Sequence, residues 1–71
     1  MSLANVKAGR KVRFVNVRAG QALKARLAAL GLVPGSELEV VSNSFHGPFI
    51  VAVKGSRLVL GRGMAQKIVV V

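Results

Sequence analysis

Cysteine, aspartate, tyrosine and tryptophan are all missing from this chain, and acid of any kind is confined to Glu37 and Glu39. Each gap closes off a class of function. Without Cys there is no disulfide framework and no thiolate metal site, so apolar burial has to hold the fold, which a 52% apolar composition permits. The same absence fits an intracellular protein. With one His, no Asp, no Cys and no Tyr, no nucleophile–base–orienter set can be assembled, and no catalytic residue is expected. Glu37 and Glu39 stand on one side of an alternating strand, about 6.6 Å apart at ~3.3 Å per residue, a spacing loosely compatible with a carboxylate pair. Any exposed strand gives that spacing. They read as solvated carboxylates that offset local basic charge.

Metal and phosphate chemistry are as thinly supplied. The hard or borderline ligands are His46, Glu37, Glu39 and the N-terminal amine, too few to fill a tetrahedral or octahedral site within one chain. His46 lies in a Gly/Pro loop and reads as an incidental exposed imidazole, with adventitious bridging between chains as its one metal reading. No metal or cofactor is expected. Gly31 and Gly35 follow a helix C-terminus, the wrong end for an anion, and no GxxxxGK[ST] occurs. No apolar run approaches the roughly 18 residues of a spanning helix, and residues 1–9 lack the apolar core of a signal peptide. The expectation is a soluble cytoplasmic protein without membrane insertion. Residues 1–71 allow one domain, which at this size buries only about 60% of the surface its unfolded chain exposes.

What the chain has in plenty is positive charge. Eleven Lys and Arg stand against two acids, a formal +9, which attracts nucleic acid, an acidic protein surface or an anionic membrane face alike. The basic residues are dispersed, with no run longer than Arg10-Lys11, so a solvated face that keeps an apolar domain soluble explains them equally well.

The organising stretch is Leu23 to Val41, LKARLAALGLVPGSELEVV. Leu23, Leu27 and Leu30 recur on one helical face, and Gly31 suits the left-handed cap that ends the helix. Leu32 can fold back onto that face. Pro34-Gly35 supplies a type II turn into a strand over Ser36–Val41, where Leu38 and Val40 alternate with Glu37, Glu39 and Val41. Upstream, Leu3 and Val6 form an apolar lead-in before Gly9. Lys11–Arg18 reads as a strand whose apolar residues change parity between Phe14 and Val15, so a bulge near Val15 is needed for Val17 to rejoin the inward set. The helix runs Gln21–Leu30, about 15 Å, with Gly20 as a weak N-cap. Downstream, Ser42–Pro48 reads as a loop and Phe49–Lys54 as a strand. Gly55-Ser56 reads as a hairpin turn, Arg57–Leu60 as its partner strand, Gly61–Gln66 as a break holding a single 3₁₀ turn, and Lys67–Val71 as the last strand. Five short strands and one helix in so short a chain point to a small bent sheet that curls into a partly open barrel.

The pattern Leu3…Val6…Gly9, Arg26-Leu27…Leu30-Gly31-Leu32…Pro34-Gly35, Pro48…Val53-Lys54-Gly55 and Leu58…Leu60…Ala65…Ile68…Val70 resembles the FeoA family over almost the whole chain. Its most specific piece is the RLxxLGLxPG segment joined to an alternating strand, which makes Leu27, Leu30, Gly31, Pro34 and Gly35 the identifying structural motif. The resemblance implies a mainly β fold, a small SH3-like five-stranded barrel with one short helix between strands 1 and 2. It also implies a small cytosolic accessory of bacterial ferrous-iron uptake that acts on FeoB, the membrane permease with a cytosolic GTP-binding domain. A similar module forms the C-terminal domain of iron-dependent repressors. Gly61 and Gly63 flank Arg62 where family members carry longer polar residues.

Where the family places charged residues pointing out of the barrel, this chain has Ile50 and Ala52. If Phe49, Val51 and Val53 face inward, then Ile50 and Ala52 face outward, as do Val59, Val69 and Val71 by parity. Together they would make an exposed apolar patch, with Arg13 and Arg57 in a basic rim, and Ile50, Ala52, Val59, Val69, Arg57 and Arg13 are the candidate partner contacts. Cover by the helix or the N-terminal lead-in is the plainer alternative. The competing function is binding of RNA or DNA backbone by a basic SH3-like barrel. Against it, only Phe14, Phe45 and Phe49 are aromatic, two of them expected in the core, so stacking platforms are scarce. A proline-rich peptide groove is disfavoured for the same reason. Self-association stays open.

Overall fold

A computed structural model describes residues 1–44 and 47–71; the readings made of Phe45 and His46 lie outside the described residues. The chain opens with a 3₁₀ turn, Leu3–Asn5, and continues through β1 (Lys11–Val17), α1 (Gln21–Ala29), β2 (Glu37–Asn43), β3 (Phe49–Val53), β4 (Ser56–Leu60), α2 (Arg62–Lys67) and β5 (Ile68–Val70). The strands form one antiparallel sheet in the order β4-β3-β2-β1-β5. Alternation does the sorting. Val12, Phe14, Leu38, Val40, Phe49, Val51, Val53, Ile68 and Val70 are buried, and Lys11, Arg13, Glu37 and Arg57 of the opposite parity are exposed.

In β1 the register slips between Phe14 and Asn16, so Val15 is the extra residue. The expected bulge is present. Val15 is left outside and Val17, with its parity restored, is buried. A second slip, between Val40 and Ser42, lets β2 run to Asn43, two residues past the expected end at Val41. The expected loop is shortened at its start.

The helix ends as its glycine requires, but its face differs from expectation. Leu27 is buried and Leu23 is packed against the core, whereas Leu30 is 49% exposed. Three residues advance a helix by about 300°, so Leu30 is already rotated off the line of Leu27, and it has become the C-cap residue with ψ near 0°. Leu32 takes its place in the core. The turn that follows is closed by Ser36 N–H donating to the Val33 carbonyl at 2.9 Å, with Gly35 at φ +91°. That is the type II turn expected of Pro34-Gly35.

Two further corrections concern turns. The β3–β4 hairpin pivots on Lys54 and Gly55, with φ of 50° and 80°, and Val53 pairs with Ser56. A type I′ turn needs positive φ at both centres, which Lys54 and Gly55 adopt, so the turn sits one residue earlier than the expected Gly55-Ser56 turn. The 3₁₀ break expected over Gly61–Gln66 is instead the α-helix α2 with Gly61 as its N-cap. Ala65 is fully buried and Met64 packs against the core, so burial outweighs the poor propensity of Gly63.

Candidate functional site

The outer surface of the sheet carries the candidate contacts, and register decides which of them meet. Ile50 stands opposite Val59, and Ala52 opposite Arg57, so these four side chains form one block on the outer face of β3 and β4. Val59 is 70% exposed, Arg57 is exposed, and Ile50 and Ala52 are half-buried between neighbouring strands. On the far side of β3, Ala52 faces Glu39, which faces Lys11. A row Lys11–Glu39–Ala52–Arg57 therefore crosses four strands with its single acid between two cations. Arg13 likewise stands opposite Glu37. Cross-strand neighbours of opposite sign support one another by roughly 0.2–1 kcal/mol.

Val69 and Arg13 do not join the block. Val69 lies on β5 at the opposite edge of the sheet, facing Asn16 and bridged by Ser2. Arg13 lies on β1, where its Nη1 donates to the Gly35 carbonyl at 3.3 Å and ties the strand to the Pro34-Gly35 turn. Val71 is exposed beside β5, so a single continuous patch of all the outward valines does not form.

Two recesses flank these surfaces. A groove of about 240 Å³ runs between α1 and β1, with Phe14, Val17, Ala28, Leu32, Val33 and Pro34 among its walls. A shallower one of about 160 Å³ lies beside the charged row, between Lys11, Glu37, Glu39, Ala52 and Lys54. Among the described residues no group of three or more His, Cys, Asp or Glu side chains is placed to hold a metal ion. No helix among them is long and apolar enough to cross a membrane.

Sequence reasoning missed the polar junction at the end of β2. Asn43 Nδ2 donates to the carbonyls of Ala4 at 3.1 Å and Val6 at 2.7 Å, while its Oδ1 accepts from Arg62 Nη1 at 3.0 Å. Arg62 Nη2 also donates to the Ser44 carbonyl. Ser2 Oγ is within reach of the Ala65 and Gln66 carbonyls at 3.3 and 3.1 Å. The lead-in, β2 and α2 are thereby locked together. An Asn in a Ser/Gly/Pro-rich stretch looks like a loop residue, and nothing local reveals carbonyl partners thirty-seven and thirty-nine positions away.

The architecture has close counterparts among known proteins. A protein of Methanocaldococcus jannaschii, whose proposed designation is Fe(2+) transport protein A, is 41% identical over 68 residues, spanning 96% of this chain and 82% of its own. The crystal structure of an iron uptake regulatory protein, FeoA, superposes with a TM-score of 0.89 at 31% identity, over 99% of this chain and 93% of that one. Stenotrophomonas maltophilia FeoA, crystallised with zinc, superposes with a TM-score of 0.83 at 29% identity, over 99% and 88% of the two chains. It is described as a prokaryotic SH3 domain protein proposed to act as a ferrous-iron transport activating factor. The five antiparallel strands with a helix between the first two are thus an SH3-like fold. The FeoA domain model matches residues 1–71 from end to end, and the chain belongs to the FeoA domain family.

Proposed function

We propose that this protein is a cytoplasmic accessory of ferrous-iron uptake that docks on the cytosolic GTP-binding domain of the FeoB permease, with no chemistry of its own. The observation that carries the docking surface is the Ile50–Val59 pair, an apolar contact on the outer face of the sheet with Val59 70% exposed and Arg57 beside it. An apolar centre with a basic margin suits an acidic, partly apolar partner surface. Membership of a family linked to ferrous-iron transport supports the permease as that partner. The ferrous ion is the permease's cargo in this reading and requires no ligand from this chain. Backbone binding to nucleic acid is less well supported, because Phe14 and Phe49 are both buried and offer no stacking face.

The test is a pull-down on the immobilised GTP-binding domain at about 0.15 M salt, where exposed charges more than roughly 8 Å apart are largely screened. The wild-type protein should be retained, and Val59→Glu should be lost while its thermal unfolding stays within a few degrees of wild type. Retention of Val59→Glu at wild-type level would remove this face from the proposal. Sub-micromolar RNA binding that persists at that salt would favour the nucleic-acid reading.

A further inference from the structure

The two edges of the sheet are finished differently. At the β5 edge, Val70 N–H donates to the Met1 carbonyl at 2.8 Å, the Met1 amine donates to the Val70 carbonyl at 3.2 Å, and Ser2 bridges to Val69. The lead-in closes that edge. At the β4 edge, no backbone group among the described residues pairs with Arg57 or Val59 beyond β3. In a two-residue hairpin the pair flanking the turn is hydrogen-bonded and the bonding alternates from there. Val53–Ser56, Val51–Leu58 and Phe49–Leu60 are therefore the bonded pairs, and the N–H and C=O groups of Arg57 and Val59 point away from β3. The residues that present exposed side chains on the outer face also present the unused backbone groups.

Natural sheets blunt such an edge with bulges, prolines or charges. Here β3 and β4 pair through five consecutive residues with no register shift, unlike β1–β5 and β2–β3. No Pro interrupts Ser56–Leu60, and a single charge, Arg57, is followed at the next outward position by an exposed valine. We propose that β4 is an acceptor edge for strand addition, taking an extended antiparallel segment of the partner that sets an acidic residue opposite Arg57 and an apolar one opposite Val59. Main-chain bonds would supply the attachment and these two side chains the selectivity. Charge selects the occupant. The chain carries +9, and Lys54 at the turn adds to Arg57 along this edge, whereas a second copy would bring two such edges and two +9 chains together. The location rests on the docking surface proposed above, but strand addition is a separate claim about how that surface is engaged.

A capped peptide, acetyl-Ser-Val-Thr-Glu-Thr-Val-Ser-amide, tests it without the permease. Titrated into the protein, it should slow hydrogen exchange at the Arg57 and Val59 amides at least tenfold at saturation, while Leu58 and Leu60 are protected with or without it. N-methylation at the Glu, which faces the edge, should abolish binding; at either neighbouring Thr, which faces away, it should change affinity less than threefold. Arg57→Glu should weaken binding about tenfold or more. Absence of binding at 1 mM peptide, binding without protection of those two amides, or equal effects of the N-methyl positions would each overturn the proposal. Protection that grows with protein concentration alone would assign the edge to a second copy and overturn the acidic segment. Permease retention that survives a failed peptide test would leave docking intact and strand addition refuted.

Discussion

Leu32 N–H donates to the Leu27 carbonyl at 2.9 Å, bridging the end of α1 to the residue that replaces Leu30 in the core. Gly31 N–H donates to the Ala28 carbonyl at 3.0 Å, and Gly31 adopts φ +96°. These two bonds close the last turn of α1 in the Schellman arrangement, with Leu27 and Leu32, the positions of its apolar contact, both in the buried core cluster. The helix therefore contributes to the core through where it stops as much as through its face.

The two leucines of the motif should separate on truncation. Leu27→Ala removes a fully buried side chain and should cost on the order of 2–5 kcal/mol, whereas Leu30→Ala should cost less than about 1 kcal/mol because Leu30 is 49% exposed. Urea unfolding followed by circular dichroism gives both values. Equal losses would mean that Leu30 is a core residue after all.

Gly31 should be intolerant for a backbone reason. A Cβ there would meet Lys54 Cδ at 3.6 Å and Val53 Cγ1 at 3.7 Å, which is ordinary contact, so space is not the obstacle. The obstacle is φ +96°, and Gly31→Ala should destabilise by roughly 1–2 kcal/mol through that strain alone. If Gly31→Ala were neutral in the same urea assay, the helix would have another way to end.

Gly20 offers the opposite outcome. It caps α1 at φ −70° and ψ 174°, extended backbone open to any residue, with no side-chain cap bond and nothing within 4 Å of where a Cβ would stand. Gly20→Asp would supply an acceptor for the orphaned N–H groups and a negative charge at the positive end of the helix dipole. It should raise stability by about 0.5–1 kcal/mol at low salt, with part of the gain lost at high salt. A fall in melting temperature would show that the cap geometry differs from that of the free N-terminus.

What the residues announced was what short-range chemistry determines. The Pro34-Gly35 turn, the C′ glycine and the alternating strands are legible because each depends on φ, ψ or parity within a few residues. Even the bulge at Val15 is forced, since Phe14 and Val17 cannot otherwise face the same way. Leu30, the Lys54-Gly55 turn and α2 depart from expectation because the helix end, the hairpin register and core packing, respectively, decide them. Lys54 accepts φ 50° because the hairpin register demands a type I′ turn, and Gly63 accepts a helix because Ala65 and Met64 reach the core. The candidate contacts were legible only as parity. Which of them share a surface depends on strand order, and that order sets Val59 beside Ile50 and puts Val69 at the other edge.

The Asn43 junction makes the sharpest structural test, because its partners all lie far away in sequence. Asn43→Ala deprives the Ala4 and Val6 carbonyls of their donor and Arg62 Nη1 of its acceptor, and should cost about 1–3 kcal/mol. Asn43→Asp keeps the acceptor for Arg62 but turns an oxygen toward two carbonyl oxygens, so its charge should not rescue the loss. Arg62→Ala should cost less, since the carbonyl bonds made by Nδ2 survive it. Because the two residues share one network, the Asn43→Ala/Arg62→Ala double variant should lose less than the sum of the singles, by about 0.5 kcal/mol or more. Urea unfolding of the four proteins gives the coupling, and limited proteolysis supplies a second readout, with cleavage near Lys7 and Arg10 appearing first in the Asn43 variants. Strict additivity, with the N-terminal segment no more susceptible than in wild type, would show that Asn43 and Arg62 act independently and that the lead-in is held by Leu3, Val6 and the Met1 and Ser2 bonds without Asn43.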